Sequence, residues 1–143
     1  MDRWKGSFLE KLHKAQAQWA KQFEDTLDQA VVPAFDDLAG FLGDNGFRTS
    51  TPLADAGRRS FKFELAENAY LLVIFQSSGV GGFELRWETS MPGAEPILER
   101  SVAQVPDIDK GWARDQFQAG LDRFVTLLAD KTAAEPCAEL TAV

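Results

Sequence analysis

Residues 4–41 read WKGSFLEKLHKAQAQWAKQFEDTLDQAVVPAFDDLAGF. The apolar positions are Trp4, Phe8, Leu12, Ala15, Trp19, Phe23, Leu27, Ala30, Ala34, Leu38 and Phe41. Every step between them is three or four residues, so they form one stripe of a helix. Lys11, Lys14, Gln18 and Lys21 fill the opposite face. Pro33 follows the β-branched pair Val31 and Val32. A proline removes one backbone donor and crowds the preceding turn, so the spacing predicts a helix to about Val31 and then a kink or a reversal. A second helical piece, Ala34 to Leu42, should turn Phe35, Leu38, Phe41 and Leu42 inward. Gly43 and Asn45-Gly46 then end it.

From Phe47 onward the period changes to two. Phe61, Phe63 and Leu65 alternate with Lys62 and Glu64, and Phe83, Leu85 and Trp87 alternate with Glu84, Arg86 and Glu88. Each set reads as a half-buried strand. Tyr70–Phe75 is continuously apolar and reads as the central strand, with Leu72 and Ile74 expected in the core. Phe47–Leu53 and Ile97–Val102 read as edge strands, and Pro52 suits an edge because it cannot donate to a ladder. Short turns at 54–57, 66–68 and 78–82 suit antiparallel hairpins. Asp109 is placed to cap a last helix from about Lys110 to Ala134, with Trp112, Phe117, Leu121, Phe124 and Leu128 as its stripe. The expectation is an α+β domain over residues 1–134. It has a long N-terminal helix kinked near Pro33, a four- to five-stranded antiparallel meander and a C-terminal helix, with the helices on one sheet face. Residues 135–143, beginning before Pro136, read as a flexible tail.

The totals limit function. A chain of 143 residues with eleven Phe and four Trp can fill a core without staples. Its single Cys137 forms no internal disulfide, which favours a reducing compartment, and the sequence reads as cytoplasmic. No apolar run approaches the length of a membrane span, and charges interrupt the N-terminus where a signal peptide would be apolar. Net charge is −7, which argues against nucleic-acid binding. The charge is uneven: residues 1–22 hold five cations against Asp2 and Glu10, a balance of +3, so the rest carries −10.

Motifs for chemistry are absent from this reading. The run Ser77-Ser78-Gly79-Val80-Gly81-Gly82 leads into a strand and is followed by no lysine, so it reads as a hairpin turn rather than a phosphate loop. His13 is the only histidine, which leaves no metal set and no partner for a nucleophile. Glu64, Glu84 and Glu88 alternate with cations and read as solvated ion pairs rather than an acid–base pair. Catalytic, cofactor and metal residues are therefore assigned to none. Arg58, Arg59, Lys62 and Arg86 would make an anion-docking patch if the strand register stacks them.

The N-terminal helix points to association. Residues 4–31 span roughly 42 Å as a helix, against roughly 26 Å for an eight-residue strand. Residues 1–22 should therefore overhang and leave Trp4, Phe8, Leu9 and Leu12 bare. Trp4, Phe8, Leu12, Trp19 and Phe23 are assigned to self-association. An antiparallel two-fold pairing would set the basic half against Glu24, Asp25, Asp28, Asp36, Asp37 and Asp44 of the partner. A membrane surface is a second destination, against which the acidic remainder counts. Packing on the C-terminal helix is the third. In size, acidity and α/β mixture the chain is similar to secretion chaperones, although they place a helix among their strands and this sequence does not. The functional expectation is a non-enzymatic binding or adaptor protein, a homodimer that recognises another protein. One alternative is a ligand or enzymatic site between sheet and helices, using Tyr70, Trp87 or arginines. Another is an acidic immunity or antirepressor-type protein masking a basic partner.

Overall fold

A computed structural model describes residues 2–142 other than 56 and 79, with side chains described as far as residue 130. Helix α1 is Asp2–Thr26, and a π-helical turn, Leu27–Val31, joins it to α2, Val32–Gly43. Six strands follow: β1 (Arg48–Ser50), β2 (Ala54–Asp55), β3 (Arg58–Ala66), β4 (Ala69–Ser77), β5 (Gly82–Ser90) and β6 (Ile97–Gln104). A 3-10 turn, Val105–Asp107, leads to helix α3, Lys110–Ala142. The sheet is antiparallel throughout, in the order β1-β3-β4-β5-β6, with β2 also pairing with β3. The architecture is the α+β arrangement expected; the edge strand expected at 47–53 is shortened to β1, and β2 falls in the turn expected at 54–57.

Pro33 does not reverse the chain. Thr26, Val31 and Val32 all keep right-handed helical angles, and the Val32 N–H donates to the Leu27 carbonyl, five residues back. This widened turn lies where the proline ring would otherwise meet the carbonyl of Gln29. Residues 2–43 are thus one continuous helical rod. Upstream, Ala, Gln, Lys and Leu are strong helix formers, and Trp4 stacks on Phe8 one turn later with ring centroids 5.1 Å apart. The Asp109 carboxylate caps α3 by accepting from the Trp112 N–H at 2.7 Å. α3 runs past the end expected at Ala134; the proposed tail, 135–143, and Cys137 fall where side chains are not described.

The core lies between one sheet face and the helices. Phe61 and Phe63 of β3, Leu71, Val73 and Phe75 of β4, and Phe83 and Leu85 of β5 are buried together. Phe23, Leu27, Val31 and Phe35 cover them from the long rod, and Phe117 and Phe124 from α3. Phe35 meets Phe61 at 4.9 Å and Phe23 meets Phe83 at 4.7 Å between centroids. Two expectations need correction. Phe63 pairs with Leu71 and Phe61 with Val73, which turns Leu72 and Ile74 to the outer face. A strand apolar at every position carries no alternation from which to choose its inward side. Phe41, expected inside, is 65% exposed at the end of α2.

Candidate functional site

The stripe that starts at Trp4 meets two different environments. Phe23 is buried against Phe83. One turn upstream, Trp19 is half-buried and its indole lies over the β4–β5 turn, 3.8 Å from where a Cβ on Gly81 would stand. Ala15 is also half-buried, and every residue from 2 to 14 is exposed. Those 13 residues form an arm about 20 Å long. Trp4 is 65% exposed, and Phe8, Leu9 and Leu12 are exposed with it. Of the five residues assigned to association, the structure therefore places Trp4, Phe8 and Leu12 on a bare arm. Trp19 sits at its root, and Phe23 is sealed in the core. His13 is on the arm and exposed.

The acidic half of the rod is partly engaged within the chain. Arg59 binds both Glu24 and Asp28 and ties β3 to the base of α1. Lys110 meets Asp37 at 2.8 Å. Asp25, Asp36 and Asp44 are the remaining acidic groups of that half. The rod's far end carries a second uncovered apolar surface. Leu38, Phe41 and Leu42 of α2, Phe47, and Leu121 and Val125 of α3 line an open groove of about 600 Å³, with Asn45, Gln118 and Asp122 as its polar members. Sequence reasoning missed this groove because Phe41 fits the apolar period and Val125 directly follows Phe124 in an apolar run.

The four cations assigned to an anion patch do not converge. Arg58 meets Asp55 at 3.0 Å, Arg59 binds Glu24 and Asp28, Lys62 meets Glu64 at 3.2 Å and Arg86 meets Glu84 at 3.0 Å. Arg59 lies at a register position on the helix side of β3, whereas Lys62 lies on the outer side. Nearby, the Tyr70 hydroxyl donates to Glu88 at 2.5 Å, and the Lys62 ammonium sits 4.5 Å from the centre of its ring. The hydrogen bond to Glu88, then burial, raise the Tyr70 pKa above its ordinary 10.0. This outer-face cluster holds Tyr70 neutral. The glycine run is a hairpin turn, with the Ser78 N–H donating to the Gly82 carbonyl at 2.9 Å and Gly81 at φ +77°.

Between the inner face and α3 lies a cleft of about 200 Å³ beside Trp87, Ser101, Gln116 and Arg123. The Trp87 indole N–H donates to Ser101 Oγ at 3.4 Å, and Arg123 is paired with Glu99. A Cβ on Gly120 would stand 2.7 Å from the Trp87 ring, so this glycine lets α3 approach β5. A glycine within a helical run was the available signal for that close approach. Tyr70, the other aromatic assigned to such a site, is on the opposite face of the sheet.

Among the described residues, no group of three or more His, Cys, Asp or Glu side chains is placed to hold a metal ion, and no helix is long and apolar enough to cross a membrane. No known protein family, curated protein or solved structure matches this chain.

Proposed function

We propose that this chain is a small cytoplasmic binding or adaptor protein without chemistry of its own, acting by protein–protein recognition as a homodimer joined through the α1 arm. The supporting observation is the stripe itself. It is one surface along one helix, buried from Phe23 to Ala34 and bare from Leu12 upstream. Bare aromatic side chains on a helix are costly to hydrate and match the aromatic anchors that dominate protein interfaces. The arm's positive charge supports a partner surface that is apolar at the centre and acidic at the rim.

The test is molar mass in solution for the wild-type chain and for the Trp4→Ala/Phe8→Asp double variant. Both positions are exposed, so the fold should tolerate the changes. A wild-type dimer that becomes a folded monomer in the variant supports the proposal; a variant as dimeric as wild type contradicts it.

A second possibility rests on the cleft beside Trp87, which would hold a small polar ligand against the indole face with Gln116 and Arg123 as its anchors. Saturable quenching of tryptophan fluorescence, abolished by Gln116→Leu, would favour it over the first.

A further inference from the structure

The homodimer proposed above leaves open what the arm touches. We infer that each arm docks in the groove between α2 and α3 of a second copy, so that two arms and two grooves are exchanged about a two-fold axis. This rests on the arm's being the association element, and it names the surface that receives it.

Among the described residues, Leu98 and Val102 are bare on the edge strand β6, and two further uncovered apolar surfaces lie at opposite ends of the same helical rod. One is convex and projecting: Trp4, Phe8 and Leu12. The other is concave: Leu38, Phe41, Phe47, Leu121 and Val125, with Asp122 on the rim. Phe41 at 65% and Val125 at 49% are exposed there although flanked by buried Leu42, Leu121 and Phe124. Knobs and a groove of this kind suit helix-in-groove recognition.

The arm of a chain cannot reach that chain's own groove. Residues 8 and 41 belong to one continuous rod, which places them about 50 Å apart. Helical angles at Thr26, Val31 and Val32 and the π-helical turn between the two helices carry the rod through without a break. A second copy laid antiparallel brings its arm to the groove end and presents its own groove to the first arm. The contact is then made twice, as a closed two-fold interface requires.

Charge selects the same pairing. The arm carries Arg3, Lys5, Lys11 and Lys14 with Asp2 and Glu10. The groove end carries Asp122 on its rim and Asp44 next to Asn45 of its lining. Two arms laid on each other in parallel would set cation against cation, whereas arm on groove sets cation against carboxylate. Asp37, nearby, is taken by Lys110.

The experiment is complementation in the full-length chain. An arm variant, Phe8→Asp, and a groove variant, Phe41→Asp/Val125→Asp, are each measured alone and then mixed in equal amounts. All three positions are exposed, and far-ultraviolet circular dichroism checks the fold of each variant. Sedimentation equilibrium reads the association constant. Each variant alone should dissociate at least about thirtyfold more readily than wild type, the loss expected for removing an anchor. The mixture should regain a 1:1 heterodimer, because one intact arm still meets one intact groove.

A groove variant that dimerises as tightly as wild type would overturn the inference while leaving the arm as the association element. Two variants that stay monomeric when mixed would overturn reciprocal exchange. Open polymers in the wild type would replace the closed two-fold with a head-to-tail contact. A monomeric wild type would remove the homodimer and this inference together, and would leave lipid or a foreign protein as the arm's owner.

Discussion

Phe8 and Phe23 are the same residue type on the same face of the same helix, yet one is 47% exposed and the other 1%. Local sequence does not separate them. Both follow polar or small residues, both sit in good helix-forming context and both belong to a stripe with steps of three and four. What separates them is the length of the sheet. Phe23 lies above Phe83 on β5, Trp19 lies over the turn that opens that strand, and beyond the turn residues 2–14 are exposed. Secondary structure is thus decided locally, whereas burial is decided by where another element stops.

The sharpest way to break the comparison is to truncate both phenylalanines. Phe23→Ala should cost about 3–5 kcal/mol of unfolding free energy, the transfer and cavity terms together. Phe8→Ala should change the stability of the folded monomer by no more than about 0.5 kcal/mol. Chemical denaturation at a concentration low enough to exclude association measures both. Similar losses would mean that the arm is packed on the body.

Body changes should move stability and leave association alone. Gly120→Ala gains helix propensity, about 1 kcal/mol, but drives a Cβ into the Trp87 ring and against Leu71 at 3.1 Å. Overpacking typically costs about 1–3 kcal/mol. A net loss of about 1 kcal/mol is expected, with a change in tryptophan fluorescence and no change in molar mass. Asp109→Ala removes the α3 cap and should cost about 1 kcal/mol, again at constant mass.

The smallest effect sits on the outer face. Tyr70 is the chain's only tyrosine, so tyrosinate absorbance reports it alone. Its midpoint should lie above 10.0, and Glu88→Gln should bring it down. The protonated form is the one favoured on folding. Its contribution to stability is therefore complete below the unfolded pKa near 10 and is lost as pH rises through the folded value. A wild-type midpoint at or below 10.0 would mean that the Tyr70–Glu88 bond does not hold in solution.

The elements were legible where periodicity is strong. The long stripe, the alternation of β3 and β5 and the Asp109 cap all follow from spacing, whereas the bare stretch, 2–14, is shorter than the overhang of 1–22 expected from reach. β4 was legible as a strand but not in its orientation, because Leu71 through Phe75 is apolar on both faces and only its register against Phe61 and Phe63 chooses between them. The continuity of the rod at Pro33 was not legible either. A proline announces a disturbed turn, and whether that turn widens or breaks depends on the packing that Leu27, Val31 and Phe35 find on the sheet. The arm was visible because its residues adjoin in sequence. The groove was not, because Phe41 and Val125 meet only through the packing of α2 on α3.

Light scattering on the full chain, across a range of concentrations, reads association through the arm. A homodimer joined through the arm gives a mass approaching twice 15.8 kDa that falls to 15.8 kDa in the Phe8→Asp variant while the far-ultraviolet spectrum stays unchanged. A wild-type chain that remains at 15.8 kDa at every concentration would contradict it.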